Sequence, residues 1–184
     1  MYGMVNSAIE DLVVRNFGRH KWEAMCARAG VEVAVFISNE PYEDQVTYDL
    51  VAAAVVELGL SADAVLVAFG EHWVLETATK SYGPMMDGTG RSVAEVLQNL
   101  GALHTRVQMI MPQLRPPAFR VESVTDRSLI LHYMTHRPGL TMFTVGLLQG
   151  LGKRFSTPVT VEVLQKKDDG ADHDVFSVTW PPPP

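Results

Sequence analysis

Apolar residues recur at helical period through the first two thirds of the chain and at strand period through much of the last third. Residues 4–17 place Val5, Ile9, Leu12, Val13 and Asn16 on one stripe, and Gly18 ends it. A short helix is predicted over 21–29, closed by Gly30, followed by a brief apolar stretch Val33–Ile37. Thr47–Leu58 reads as an alanine-rich helix ended by Gly59. Ser61 then caps a longer helix with Asp63 in its first turn and Val65, Phe69 and Trp73 on one face. Gly70 inside it costs about 1 kcal/mol against alanine, which implies a packing or bending reason. Tyr82–Gly90 is predicted as a glycine-rich loop. Ser92 and Glu95 form a capping box for a helix running to about Met111, before Pro112.

The pattern changes near Arg115-Pro116-Pro117. Ala118–Val124 and Ser128–His136 are predicted as a hairpin, Leu140–Phe155 as an amphipathic helix, and Val159–Gln165 with Asp174–Trp180 as a second hairpin. Residues 181–184 are all proline, a stiff tail that cannot enter a sheet. Helices followed by strand-strand-helix-strand-strand make an α+β fold, not an alternating one.

Composition narrows the classes. The 184 residues suit one domain, 47% hydrophobic and 20% charged. A net charge of -6 leaves no basic footprint for nucleic acid or an anionic membrane, so neither is expected as a partner. The single cysteine, Cys26, allows no internal disulfide; a cytoplasmic setting is expected, with Cys26 a small apolar helix residue. The first residues lack a basic and apolar leader pattern, so no signal peptide is expected. No apolar run approaches the roughly 20 residues of a membrane span. The longest, Leu50–Leu60, is broken by Glu57.

Two groups could carry chemistry. His104 continues the stripe Val93, Leu97, Leu100, Val107 and Met111. A histidine facing an apolar core needs a partner, either a backbone carbonyl or a metal. With no second His or Cys at i±3 or i±4, zinc is disfavoured, whereas one histidine suffices for an iron whose other ligands come from a porphyrin. On a strand, Tyr133, Thr135 and Arg137 share a face, and His132, Met134 and His136 the other. The first three offer two hydroxyls and a planar fork that would hold a carboxylate, or they form a solvated strand face. Gly146–Gly150 is no phosphate loop and no Gly-x-Ser-x-Gly elbow exists. His20, His72 and His173 stand alone in sequence, and Asp168–Asp172 reads as a hairpin tip rather than a calcium loop.

In order along the chain, Met1-Tyr-Gly-Met-Val-Asn6, Phe69-Gly-Glu-His-Trp73, Leu103-His-Thr-Arg-Val107, Arg115-Pro-Pro-Ala-Phe119, Tyr133-Met-Thr-His-Arg137 and Gly146–Phe155 resemble the H-NOX family, haem nitric oxide/oxygen binding domains similar to the haem domain of soluble guanylate cyclase. The resemblance covers Met1 to about Trp180 and departs where the family's serine is Thr135. It implies one haem domain over 1–180, with a helical subdomain at about 1–60 and a haem-bearing part at about 61–180 containing a four-stranded antiparallel sheet.

It further implies haem b, with His104 as proximal iron ligand, Tyr133, Thr135 and Arg137 on the haem carboxylates, and Pro117 pressing on the haem. Ile9, Trp73, Phe143 and Leu147 are implied on the distal side. Oxygen-binding relatives carry a tyrosine where Phe143 stands, so nitric oxide and carbon monoxide are the expected ligands, with an oxygen sensor or a haem-free binding module as alternatives. No catalytic residues are expected. The expected output is a separate partner, a histidine kinase or a cyclic-dinucleotide enzyme, reached when nitric oxide releases His104 and the helices move about Gly3 and Gly70.

Overall fold

The computed structural model describes residues 1–32 and 35–181. Residues 33 and 34 of the expected apolar stretch, and 182–184 of the proline tail, lie outside the described residues. Helices α1 (Gly3–Phe17), α2 (Arg19–Ala29) and α3 (Asp44–Leu58) lead into α4 (Ala62–His72), a π-helical turn (Trp73–Ala78), α5 (Thr79–Asp87) and α6 (Val93–Ile110). Strands β1 (Ala118–Glu122) and β2 (Ser128–Met134), helix α7 (Thr141–Arg154), and strands β3 (Thr160–Gln165) and β4 (Asp174–Thr179) complete the fold. The sheet is antiparallel throughout, in the order β1-β2-β4-β3. The α+β reading and the four-stranded sheet hold.

The capping residues start helices where expected. Ser61 Oγ accepts from Ala64 N and Ser92 Oγ from Glu95 N, each at 3.2 Å. Glu95 reaches back to Arg91 N at 2.8 Å, one residue before the position a capping box requires. Besides β1, which ends at Glu122 rather than Val124, two expectations fail. The predicted loop at Tyr82–Gly90 is helical as far as Asp87. Tyr82 leaves helical geometry (φ -135°, ψ 20°), so Pro84 falls in the first turn of a fresh segment, where its missing N–H costs nothing. Strand β2 also stops at Met134, two residues early. Arg137 N bonds Thr135 Oγ1 at 3.2 Å, and Pro138 has no N–H for a ladder.

The N-terminal helices close on one core, including Ile9, Trp22, Met25, Leu50, Val65 and Phe69. The sheet's inner face packs with α6 and α7 in a second, around Leu129, Leu131, Leu148, Phe176 and Val178. Helices α4 and α7 meet backbone to backbone. A Cβ on Gly70 would stand 2.2 Å from Phe143 O, and one on Gly146 would stand 2.2 Å from Val67 O. Gly3 meets Ile37 O just as closely. Close approach is therefore what these glycines serve in this structure.

Candidate haem site

A cavity of about 890 Å³ opens between the N-terminal helices, the π-helical turn, α5, α6, α7 and the end of β2. Val5, Leu66, Phe69, Trp73, Leu103, Val107, Phe119, Phe143 and Leu147 make much of its wall apolar. His104, Pro117, Tyr133, Thr135 and Arg137 line it as well. Large apolar pockets with a few convergent polar groups are where proteins hold cofactors.

His104 sits half-buried on α6, its ring 5.6 Å from that of Phe119. Nδ1 lies 3.2 Å from the carbonyl oxygen of Pro117. A carbonyl only accepts, so the proton is on Nδ1 and the lone pair is left on Nε2. Burial lowers the imidazole pKa, against the opposing effect of the Pro117 bond. A neutral ring, oriented by a backbone carbonyl with Nε2 bare, is the form in which histidine ligates a metal. Among the described residues no group of three or more His, Cys, Asp or Glu could hold an ion by itself. A porphyrin iron needs none beyond His104.

Tyr133 is 3% exposed on the inner face of β2, opposite Phe119 on β1. Burial raises its phenol pKa, set against the Thr144 and Thr135 hydroxyls, so it remains a donor. Thr135 and Arg137 lie beyond the strand end but still line the same cavity. So does His136, which strict alternation would turn away. Arg137 Nε and Nη2 donate to Asp44 Oδ2 and Oδ1 at 2.7 and 3.3 Å, and Nη1 donates to Arg115 O at 3.0 Å. Asp44, at the start of α3, also takes the terminal ammonium of Met1 at 2.5 Å. Burial would raise the Asp44 carboxyl pKa, but Arg137 and that ammonium outweigh it and hold it below the usual range. The donor set fits a ligand that presents carboxylates beside a flat apolar body.

Trp73, Phe143, Leu147 and Pro117 line the cavity. Ile9 does not. It is 3% exposed in the N-terminal core and faces a separate recess. Val5, one turn earlier on the same stripe, lines the cavity instead. Asp44 and Tyr48, cavity residues from α3, escape a reading of the sequence because nothing near them in the chain marks them. His173 and His72 are not isolated in space. His173 Nε2 lies 2.8 Å from His132 Nδ1, and buried His72 has Nε2 3.0 Å from Asp11 Oδ2.

The family model for haem-NO-binding domains (HNOB) matches residues 2–163. The chain is 30% identical over 167 residues to soluble guanylate cyclase gcy-32 of Caenorhabditis elegans, covering 89% of this chain and 24% of that protein. It is 24% identical over 170 residues to soluble guanylate cyclase 89Db of Drosophila melanogaster, covering 92% and 25%. The chain thus spans about a quarter of the length of these relatives. Its fold matches the Fe(II) unliganded H-NOX protein from K. algicida, with a TM-score of 0.86 at 23% identity over 100% and 98% of the two chains. It also matches the Fe(II)NO state of an H-NOX protein from S. oneidensis, with a TM-score of 0.90 at 19% identity over 98% and 99%. The extent of the family match, on a fold with this cavity, shows that the chain belongs to the haem-NO-binding family, haem-binding gas-sensor domains of H-NOX fold.

Proposed function

We propose that this chain is a nitric oxide sensor that holds haem b through His104 and reports to a signalling enzyme. The observation that carries the reading is the bare Nε2 of a neutral, carbonyl-oriented His104 on a large apolar cavity that Arg137 also lines. Bound haem iron supplies the position at which a diatomic gas binds. Tyr133, Thr135 and Arg137 take the haem carboxylates. The single cysteine and the lack of Cys-x-x-Cys-His argue for haem b without thioether links. Pro117 lines the cavity and fixes the ring of His104, so any pressure on the cofactor would come from the segment that orients its ligand.

Selectivity follows from the other walls. Val5, Phe143 and Leu147 offer no hydrogen-bond donor, and bound oxygen gains more from a donor than nitric oxide or carbon monoxide does. The site therefore takes nitric oxide and carbon monoxide and rejects oxygen. Trp73 lines the cavity and carries an indole N–H, which favours an oxygen sensor as the second reading. For output, His104 would be the residue that holds the iron, and its release on nitric oxide binding would free α6 to shift. Residues 1 to about 60 would then move against the rest, and a histidine kinase or a cyclic-dinucleotide enzyme would read the change. The chain itself acts as sensor, not catalyst. Since the relatives are guanylate cyclases, a cyclase is the competing output.

The test is the absorption spectrum of the reduced protein without ligand, with nitric oxide, with carbon monoxide and in air. Expected are distinct spectra with the first two gases and none stable in air. A purified chain that takes up no haem overturns the reading, and a stable change in air transfers it to oxygen.

A further inference from the structure

The segment Thr135–Gly139 carries two of the three carboxylate-binding residues, yet it follows the end of β2 and has no ladder to fix it. It is pinned from two directions. From α3, Asp44 holds Arg137, and Tyr48 Oη donates to Pro138 O at 3.0 Å. From the other side comes the turn between β3 and β4, where a 3-10 turn spans Lys167–Asp169. Lys167 Nζ donates to Thr135 O at 2.6 Å, and Gly139 N donates to the Asp168 carboxylate, 3.0 and 3.2 Å from its two oxygens. The turn therefore grips both ends of the segment.

The grip is anchored in the core. Lys167 N donates to Asp174 Oδ1 at 2.6 Å, and Thr141 Oγ1 donates to Asp174 Oδ2 at 3.0 Å. Asp174 is 3% exposed and is the register partner of Tyr133 on β2. One buried carboxylate thus ties the turn to the start of α7 and to the strand of the third carboxylate-binding residue. The acidic run at 168–172, which reads as a plain hairpin tip in the sequence, has one member turned inward onto a backbone amide.

Donors recognise an anion well only when they are held in place before it arrives. We infer that Lys167 and Asp168 are positioning residues for the Thr135–Gly139 loop, setting the Thr135 hydroxyl and the Arg137 fork for the haem carboxylates. The inference rests on the carboxylate-clamp reading of Tyr133, Thr135 and Arg137.

The test uses the full haem-loaded chain with Lys167→Met, Asp168→Ala and Lys167→Arg. Three quantities are measured: the rate of haem transfer to excess apomyoglobin, hydrogen exchange at the Gly139 amide, and the thermal midpoint. Outer partners of metal ligands are worth on the order of 10- to 100-fold in affinity, and partners of an anion clamp are expected at the lower end of that scale. Lys167→Met and Asp168→Ala should therefore release haem about 10-fold faster, with the midpoint lowered by no more than the weaker haem binding accounts for. Exchange at Gly139 should quicken in Asp168→Ala, and Lys167→Arg should stay near the parent. Parental release rates in both disruptive variants overturn the proposal, as does a midpoint lowered beyond what the weaker haem binding accounts for. If Arg137→Ala also releases haem at the parental rate, the clamp reading itself has failed.

Discussion

The imidazole of His104 is held by the backbone carbonyl of Pro117, 3.2 Å from Nδ1 and 13 residues along the chain. The bond occupies one ring nitrogen and leaves the other free, so a carbonyl-bonded histidine can serve as a metal ligand as well. No side chain makes this bond, so no substitution removes the acceptor directly. It depends on where the 112–117 segment leaves α6 and meets β1 at Ala118.

His104→Ala should abolish haem retention, and added imidazole should restore it by entering the space the side chain vacates. Haem content per chain, from the Soret absorbance against protein concentration, checks this. Full haem content without imidazole would remove His104 from the site.

On the proposed reading that Tyr133, Thr135 and Arg137 hold the haem carboxylates, Arg137 should matter most. It offers a charged planar fork, and a hydrogen bond to a charged group contributes about 1.5–3 kcal/mol. Arg137→Ala should speed haem loss by roughly 10- to 150-fold, given about 1.4 kcal/mol per tenfold. Thr135→Ala removes a neutral hydroxyl that also accepts from Arg137 N, and should cost less. Equal loss rates for the two variants would rule out a charge-led clamp.

Phe143 packs its ring 5.0 Å from that of Phe69 and lines the cavity. Phe143→Tyr adds one hydroxyl to a stretch of wall where Val5, Phe143 and Leu147 carry no donor. The variant should gain a stable spectral change in air that the parent lacks. No change in air would mean that position 143 does not face the bound gas.

The legible parts of this fold are those fixed by local chemistry. Ser61 and Ser92 announce helix starts, and alternation announces both hairpins. The stripe through His104 is readable because its period is set within one helix. Position along the helix axis is not: Ile9, which the family resemblance implies for the pocket, and Val5, which lines the cavity, share one stripe of α1. Alternation places Tyr133 on the cavity face but cannot show that β2 ends at Met134, since the Thr135 hydroxyl competes with the ladder only once the chain turns. The Tyr82 break and the π-helical turn carry no local sequence signal of the kind that Ser61 and Ser92 give. Asp44, Tyr48, Lys167 and Asp168 reach the loop at 135–139 across 29 to 93 residues of chain, beyond any local pattern.

Gly70→Ala should destabilise the protein through a clash, despite alanine's better helix propensity. The new Cβ would stand 2.2 Å from Phe143 O and 2.6 Å from Leu147 N, both backbone atoms that no rotamer change can move. Overpacking of this kind costs about 1–3 kcal/mol, more than the roughly 1 kcal/mol that propensity returns. Urea unfolding of the two proteins measures the difference, and a more stable variant would refute the close approach.

Asp44→Asn tests the link between α3 and the clamp through its pH dependence. The Asp44 carboxyl has a folded pKa below its unfolded value of about 3.9. A carboxyl with a lowered folded pKa adds stability that is complete above the unfolded value and disappears as pH falls through the folded one. The pair with Arg137 is partly exposed, 17% on the arginine side and 34% on the aspartate side, so its contribution is about 1 kcal/mol rather than that of a buried pair. The substituted amide keeps an acceptor but carries no charge at any pH. Wild type should therefore exceed Asp44→Asn by about this amount at pH 6–7 in urea unfolding. The gap should narrow as pH drops from about 5 toward 3, because only the wild type has a proton to gain there. In the same variant Arg137 loses its charged partner, so haem retention should change along with stability. A gap that stays constant from about pH 7 to 3 would show that Asp44 acts through packing and not through its charge.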